Sequence, residues 1–401
     1  MLYSPWAIST YMAKLMSPRE RVLSALNRKQ PDRVPIDLGG NQSGIHIKAY
    51  MKLLSHLGIK DDHVRFSDIG QHIVLPCEAV LERFHADVRY VRPLSSYRDP
   101  RNPGMQIEGP NQGIYDDFGV FWGIDAGKSL DEILYLDPVG HPLASASSVS
   151  DIEAFSWPDG KNPAPFKGMG EIARKLHENT PYAVSTGTIG NIFEYITFLM
   201  GFVKTLRFVR TKPEIIIATM KHLLQYWKDY TSAFLKEVGK NVDIICINGD
   251  LAEQAGPIID PAFYAKHVLP LDKELVDHVK SIVPVKINYH CCGSVPLFIP
   301  HFVSAGFDAI NPVQVSAYDM EPCSLKKRFG NTISFWGGLC NTQETLPFGS
   351  PEQVRADVQR NVTCLKPGGG YIAANIHNIT AEVPPQNIVA MFDAAYEFGK
   401  Y

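Results

Sequence analysis

The chain lacks a strong excess of either charge: 39 Lys and Arg stand against 42 Asp and Glu, a formal net charge of −3. A near-neutral, slightly acidic protein is a poor match to phosphate backbones, and nothing in it calls for an anionic membrane surface. Neither a nucleic-acid nor a membrane partner is expected. Long hydrophobic runs are also missing. The least polar stretch, residues 182–203, carries Glu194 and three glycines, and reads as a strand, a turn and a helix start. The N-terminus has no basic head followed by a long apolar run and a small-residue cleavage site. Cysteine is scarce, seven in 401 residues. An odd count in a large chain argues against a disulfide framework, so reduced thiols and a cytoplasmic location are the expectation. Repeats, charge blocks and low-complexity tracts are absent, and no GxGxxG turn joins a strand to a helix.

What remains is ordinary globular composition, 45% hydrophobic and 20% charged, with ample material for one large core. Ser17-Pro18-Arg19-Glu20 predicts a helix start with Ser at the N-cap and Pro at N1. Val22, Leu23 and Leu26 then keep helical spacing. Residues 1–15 read as an extension ahead of a unit covering 16–401, with Met16 a possible natural start.

Short apolar runs follow, most of them ending in Gly, Asn, Asp or His. They are Val34-Pro35-Ile36-Asp37, Asp87-Val88-Arg89-Tyr90-Val91, Tyr182-Ala183-Val184-Ser185, and residues 243–247, 284–289, 307–310, 333–336 and 371–376. Residues 262–283, 295–304 and 351–365 between them suit helices. Eight strands alternating with helices predict a (β/α)8 TIM barrel, an α/β fold whose site lies at the strand C-termini. An open doubly wound sheet is the alternative. Residues 92–165 break the rhythm. They are rich in Pro, Gly, Asp and Ser, with Tyr97, Tyr115, Phe118, Phe121, Trp122 and Tyr135 interspersed. They read as inserted hairpins after an early strand, either a lid over the barrel mouth or a surface elaboration.

The segment that carries chemistry is Lys286-Ile287-Asn288-Tyr289-His290-Cys291-Cys292-Gly293. Strand alternation puts His290 and Cys292 on one face and Cys291 on the other. An imidazole and a thiolate at the catalytic end of a strand make half a zinc site, and Gly293 lets the chain turn at once. Among the other cysteines, Cys77 and Cys364 sit in helical patterns, Cys246 lies inside a strand and Cys323 opens a polar helix. Cys340 follows Phe335-Trp336-Gly337-Gly338-Leu339, just past a strand end, and is the expected third ligand. A His-Cys-Cys set leaves one coordination position open, as catalytic zinc sites do, and its spacing matches no zinc finger. The competing reading is a barrel strand with buried His and Cys and no metal.

His377 ends the last strand as an acid/base group, a cap on a cofactor, or a histidine satisfied by backbone carbonyls. Asn248, Asp250 and Glu253 end the strand before that of His290. Asp250 either orients substrate, assists the metal or caps the next helix. Asn311 and Gln314 suit substrate hydrogen bonding or loop capping equally. Trp122 is the aromatic assigned to the substrate side of the insertion.

These segments resemble the uroporphyrinogen decarboxylase superfamily. The resemblance runs from about Met16 to Tyr401. It rests on Pro31-Asp32-Arg33-Val34-Pro35, Phe84-His85-Ala86-Asp87-Val88-Arg89, His290-x-Cys292-Gly293, residues 305–314, Phe335-Trp336-Gly337-Gly338, and the stretch from Pro367 through His377-Asn378 to Ile388. It implies a (β/α)8 barrel and two possible chemistries. Metal-free decarboxylases hold a tetrapyrrole with arginines after the first strand, where this chain has Asp37-Leu38-Gly39-Gly40-Asn41-Gln42-Ser43 and no arginine. The cobamide-dependent methyltransferases use a His-x-Cys…Cys zinc site, which His290 and Cys292 match. Pro367-Gly368-Gly369-Gly370 stands where the coenzyme M enzymes carry their second cysteine. Gly337 to Gln343, containing Cys340, resembles the O-demethylating branch.

The chain has no Asp-x-His-x-x-Gly cobalamin motif, so the resemblance implies a corrinoid supplied by a partner protein. It also implies Zn2+, and a small methyl donor or acceptor, a methoxylated aromatic or a thiol. A homodimer is left open. The alternatives are a metal-free decarboxylase of a tetrapyrrole or other carboxylate, and a non-catalytic tetrapyrrole- or corrinoid-binding barrel.

Overall fold

The computed structural model describes residues 15–40, 42–92, 106–108, 111–124 and 135–401. All but the last residue of the expected extension 1–15, and Tyr97, lie outside them.

Seven strands form one parallel sheet: β1 (Val88–Val91), β2 (Ala183–Thr188), β3 (Ile244–Asn248), β4 (Lys286–His290), β5 (Ala309–Asn311), β6 (Ser334–Trp336) and β7 (Tyr371–Ile372). They stand side by side in chain order. Residues 34–37 close the ring, because Ile36 bridges in parallel to both Ala86 and Ala373. The closing bonds are Asp87 N to Ile36 O at 2.7 Å, Asp37 N to Ala373 O at 2.9 Å and Ala373 N to Pro35 O at 2.9 Å. This position pairs by bridges and not by a full ladder because Pro35 has no N–H to give. The result is a (β/α)8 barrel. Its outer helices include Pro213–Val238, Leu269–Ile282, Ile299–Ala305, Pro322–Phe329, Pro351–Leu365 and Pro385–Phe398. The helix expected from residue 295 starts only at Ile299, after a turn through Pro296.

Helix α1 (Pro18–Leu26) plugs the N-terminal end of the barrel. Ser17 Oγ accepts from Glu20 N, and Glu20 reciprocates on Ser17 N at 2.8 Å. Its Val22, Ala25 and Leu26 pack against inward residues of the strands, Val88, Ala183, Ile244, Ala309, Trp336 and Ile372. Around this plug, Asp87 receives Arg21 at 2.6 Å, Arg33 at 2.8 Å and Ile36 N at 2.8 Å, while Arg21 also grips Asp32. The Pro-Asp-Arg-Val-Pro and His-Ala-Asp-Val-Arg segments are therefore a structural clasp. With one end sealed, the opposite mouth is the place for a site.

Between β1 and β2 the chain builds a four-stranded antiparallel sheet of Gln106–Glu108, Asn111–Tyr115, Phe121–Ile124 and Asp137–Gly140. This is the inserted hairpin segment, and its Phe118 packs on Tyr195 and Tyr226 of the helical layer.

One expectation is corrected. Cys323 and Cys364 are joined in a disulfide, their Cα atoms 4.6 Å apart, tying the start of Pro322–Phe329 to the end of Pro351–Leu365. The two lie 41 residues apart on separate helices, so sequence spacing could not pair them. The other five cysteines are free. No helix among the described residues is long and apolar enough to cross a membrane.

Candidate metal centre and its cavity

The register of the sheet sets His290 between Asn248 on β3 and Asn311 on β5. These three residues end adjacent strands, so they share the floor of the open mouth. Beyond His290 the chain turns at Gly293, whose φ is +83°. A Cβ there would stand 2.6 Å from Glu253 O, so only glycine fits. The turn brings Cys292 back beside His290, with Sγ 3.3 Å from Nε2. Cys291 faces away into the core, where its sulfur accepts from Leu251 N.

The imidazole of His290 is oriented from behind. Asn311 Nδ2 donates to Trp336 O at 3.0 Å, which leaves Asn311 Oδ1 as an acceptor 2.6 Å from His290 Nδ1. The reversed amide would oppose two carbonyl oxygens. Nδ1 therefore carries the proton, and the lone pair of Nε2 points toward Cys292 and the mouth, as in a ligating histidine held by an outer hydrogen bond.

His377 completes the group. The ligand atoms of His290, Cys292 and His377 all lie within 4.8 Å of one another. His377 sits in the left-handed region, φ 57°, and its carbonyl accepts from the Asn375 amide. Backbone held there in a bulky residue is strain that the surroundings impose. Burial and the neighbouring His290 push the His377 imidazole down to about 3, so it is neutral with a lone pair to offer. Burial, then the charge of Asp250, push the Cys292 thiol well up; a bound cation is what would remove its proton. Tetrahedral bonds of ~2.0 Å to nitrogen and ~2.3 Å to sulfur separate the two donors by roughly 3.5 Å, close to the observed spacing. Two imidazoles and one thiol thus fit a zinc-like ion.

Cys340 is not in this group, which corrects the expected third ligand. Strand β6 ends at Trp336, and Gly337 and Gly338, with φ of 128° and 72°, reverse the alternation. Cys340 consequently points outward into the helix layer, fully buried, next to Asp357 of Pro351–Leu365. The remaining predicted residues divide. Asp250 supports the turn, its Oδ1 accepting from Cys292 N at 2.8 Å. Gln314 does the same for Gly293 N at 2.7 Å. Asn248, Asp250, Trp122, His290 and His377 line one cavity of about 420 Å³. Asn311 serves His290 from below. Glu253 is exposed and outside the cavity, because the short hairpin of Ala252–Glu253 and Gly256–Pro257 turns it outward.

Sequence reasoning missed Glu194. Its Oε2 accepts from Asn191 Nδ2 at 2.7 Å, Asp250 N at 3.2 Å and Asn248 Nδ2 at 3.3 Å. Burial and the Asp250 charge push it up to about 8. The available signal was its position as the lone charge in the least polar stretch of the chain. Asp116, in the insertion, was missed too. It accepts from Trp122 Nε1 at 2.8 Å and Tyr195 OH at 2.5 Å, joining the inserted sheet to the helical layer.

A family model for uroporphyrinogen decarboxylase (URO-D) matches residues 138–398. The uroporphyrinogen decarboxylase of Pseudomonas entomophila is 24% identical over 257 residues, 63% of this chain and 69% of that protein. That of Pseudomonas fluorescens Pf0-1 is 24% identical over 262 residues, with the same shares. Among solved structures, a methyltransferase from Methanosarcina mazei superposes with a TM-score of 0.63 at 16% identity, covering 96% of this chain and 99% of that one. At that identity the likeness speaks for the fold.

Proposed function

The chain belongs to the uroporphyrinogen decarboxylase family, and from that premise we propose that it is a metal-dependent methyltransferase, not a decarboxylase. The observation that carries this reading is the convergence of His290, Cys292 and His377, two of which, His290 and His377, line the cavity. The cavity wall also has the wrong sign for a polycarboxylate. Among the described residues it contains Asp68, Asp116, Asp117, Glu194 and Asp250 against the one guanidinium of Arg92, whereas multiple carboxylates need multiple arginine partners.

When bound, a zinc ion would supply Lewis acidity to the heteroatom that carries or receives the methyl group. Two imidazoles and one thiolate leave such an ion more electrophilic than the His-Cys-Cys set expected from sequence, because one fewer thiolate offsets its charge. The chain's own residues do the positioning. Asn311 fixes the tautomer of His290, Asp250 and Gln314 hold the turn that presents Cys292, and Glu194 keeps its proton at neutral pH beside them. A corrinoid brought by a partner protein would supply the methyl-carrying cobalt chemistry, and the open mouth would give it access to the cavity.

The test is metal analysis of the purified protein together with methyl transfer to cob(I)alamin from methoxyarenes, methylamines and methylated thiols. About one zinc per chain and metal-dependent transfer are expected. Metal-free protein that turns over a tetrapyrrole carboxylate overturns the proposal.

A further inference from the structure

We infer that the cavity beside the metal centre is built for a small organic cation, a substrate bearing an alkylated ammonium group, and not for a flat aromatic ether. This names the substrate class of the site proposed above. Its catalytic meaning rests on that reading; its binding does not.

Shape gives the first argument. Phe118 meets Tyr195 at 4.7 Å and 50°, and Tyr226 at 4.6 Å and 65°. Tyr226 meets Trp227 at 5.0 Å and 78°, and Trp122 meets Phe198 at 5.0 Å and 62°. All six rings line the cavity. Rings crossing at such angles make a curved wall whose faces look in several directions. Such a wall closes around a rounded group such as a trimethylammonium and presents several ring faces to its charge.

Polarity gives the second. The N–H of each indole is already used, Trp122 on Asp116 at 2.8 Å and Trp227 on Asn191 O at 2.9 Å. Neither remains to donate to an ether oxygen, and what the indoles offer is their electron-rich faces.

Charge gives the third. Among the described residues Asp116 accepts from neutral donors alone: Trp122, Tyr195 and the amides of Phe118 and Val120. Glu194 likewise accepts from two asparagine side-chain amides and one backbone N–H, and from no cation among the described residues. Arg92, the guanidinium in the lining, is directed at the carbonyls of Ser67 and Gly39. A phenolate leaving from this wall would meet carboxyl groups; an ammonium would meet carboxyl groups and ring faces, both attractive to it. The volume, about 420 Å³, suits a small ligand of this kind.

The experiment is calorimetric titration of the purified full chain with choline, with its neutral isostere 3,3-dimethylbutan-1-ol, and with guaiacol as the methoxyarene. Choline is expected to bind about tenfold more tightly than the isostere and more tightly than guaiacol. Trp227→Leu should weaken choline about fivefold and move the isostere less than twofold. The ligand comparison on the unaltered chain stands even where that variant fails to fold. Equal binding of choline and the isostere overturns the inference, as does tighter binding of guaiacol or no choline binding at millimolar concentration. Choline binding without any methyl transfer to cob(I)alamin sinks the methyltransferase reading and leaves the cation cavity standing. Methyl transfer from guaiacol without a preference for the cation does the reverse.

Discussion

The two ends of the barrel bury carboxyl groups in opposite ways. At the sealed end, Asp87 and Asp32 are clasped by Arg21 and Arg33, and Asp308 by Lys280 and Lys286. Burial alone would raise Asp32 and Asp308, yet the bonds from Arg21 and from Lys280 hold both below the usual carboxylate range. At the open mouth, Asp116 and Glu194 meet only neutral donors among the described residues, and burial raises both. The first arrangement is finished within the chain. The second keeps buried acid with no counter-cation among the described residues, which costs stability as the carboxyl groups ionise and leaves them for a cationic ligand to satisfy. Stability and function are thus separated along the barrel axis, as family-level architecture predicts.

Breaking the sealed end should have the largest effect. The Arg21 and Asp87 side chains are 8% and 1% exposed. Asp87→Ala leaves Arg33 without its carboxylate and Arg21 with Asp32 alone, and is expected to destabilise the fold by about 4 kcal/mol. Chemical denaturation measures this. Folded variant at low temperature should keep its metal and its choline affinity; loss of either would mean the two ends are coupled.

The mouth is broken next. His290→Ala should remove the metal and slow methyl transfer at least about 100-fold, roughly 3 kcal/mol in the barrier. Cys340→Ala should keep about one metal per chain, since its sulfur belongs to the helix layer. Metal loss in Cys340→Ala with retention in His377→Ala would restore the sulfur-rich ligand set that the sequence alone favoured.

That ligand set shows where sequence reading works and where it stops. The eight strands were legible because each is a short apolar run closed by a polar residue or a glycine. His290 and Cys292 were legible because an uninterrupted strand alternates. Cys340 was not, because two glycines with positive φ break the alternation between Trp336 and the thiol. Glu194 was hidden for another reason. Two of its partners, Asn248 and Asp250, come from a different strand end, so standing as the lone charge in an apolar stretch did not reveal what it meets. The Cys323–Cys364 disulfide is likewise a product of helix packing and not of spacing.

Glu194 sharpens the comparison through pH. Its folded pKa, about 8, lies above the unfolded value of ~4.3, so the folded chain binds the extra proton between them. Stability should therefore fall as pH rises from about 4 to about 8, and level off above. Glu194→Gln removes this slope. The variant should match the parent near pH 4 and be the more stable of the two at pH 9, in unfolding curves recorded across that range. A variant that loses stability at pH 9 would show that the carboxylate is held by more than neutral donors.

The smallest effect belongs to the plug. Ser17→Ala removes the N-terminal cap of α1 and one half of its reciprocal bond with Glu20. Such a cap contributes about 1 kcal/mol. The helix remains pinned by Val22, Ala25 and Leu26 in the barrel floor and by Arg21 on Asp87, so the loss should appear as a shifted denaturation midpoint with an unchanged slope. Metal content and choline affinity should not move, because the cap touches neither the cluster nor the cavity. A changed choline affinity in this variant would mean that the floor of the barrel sets the shape of its mouth, and that the separation between the two ends is not complete.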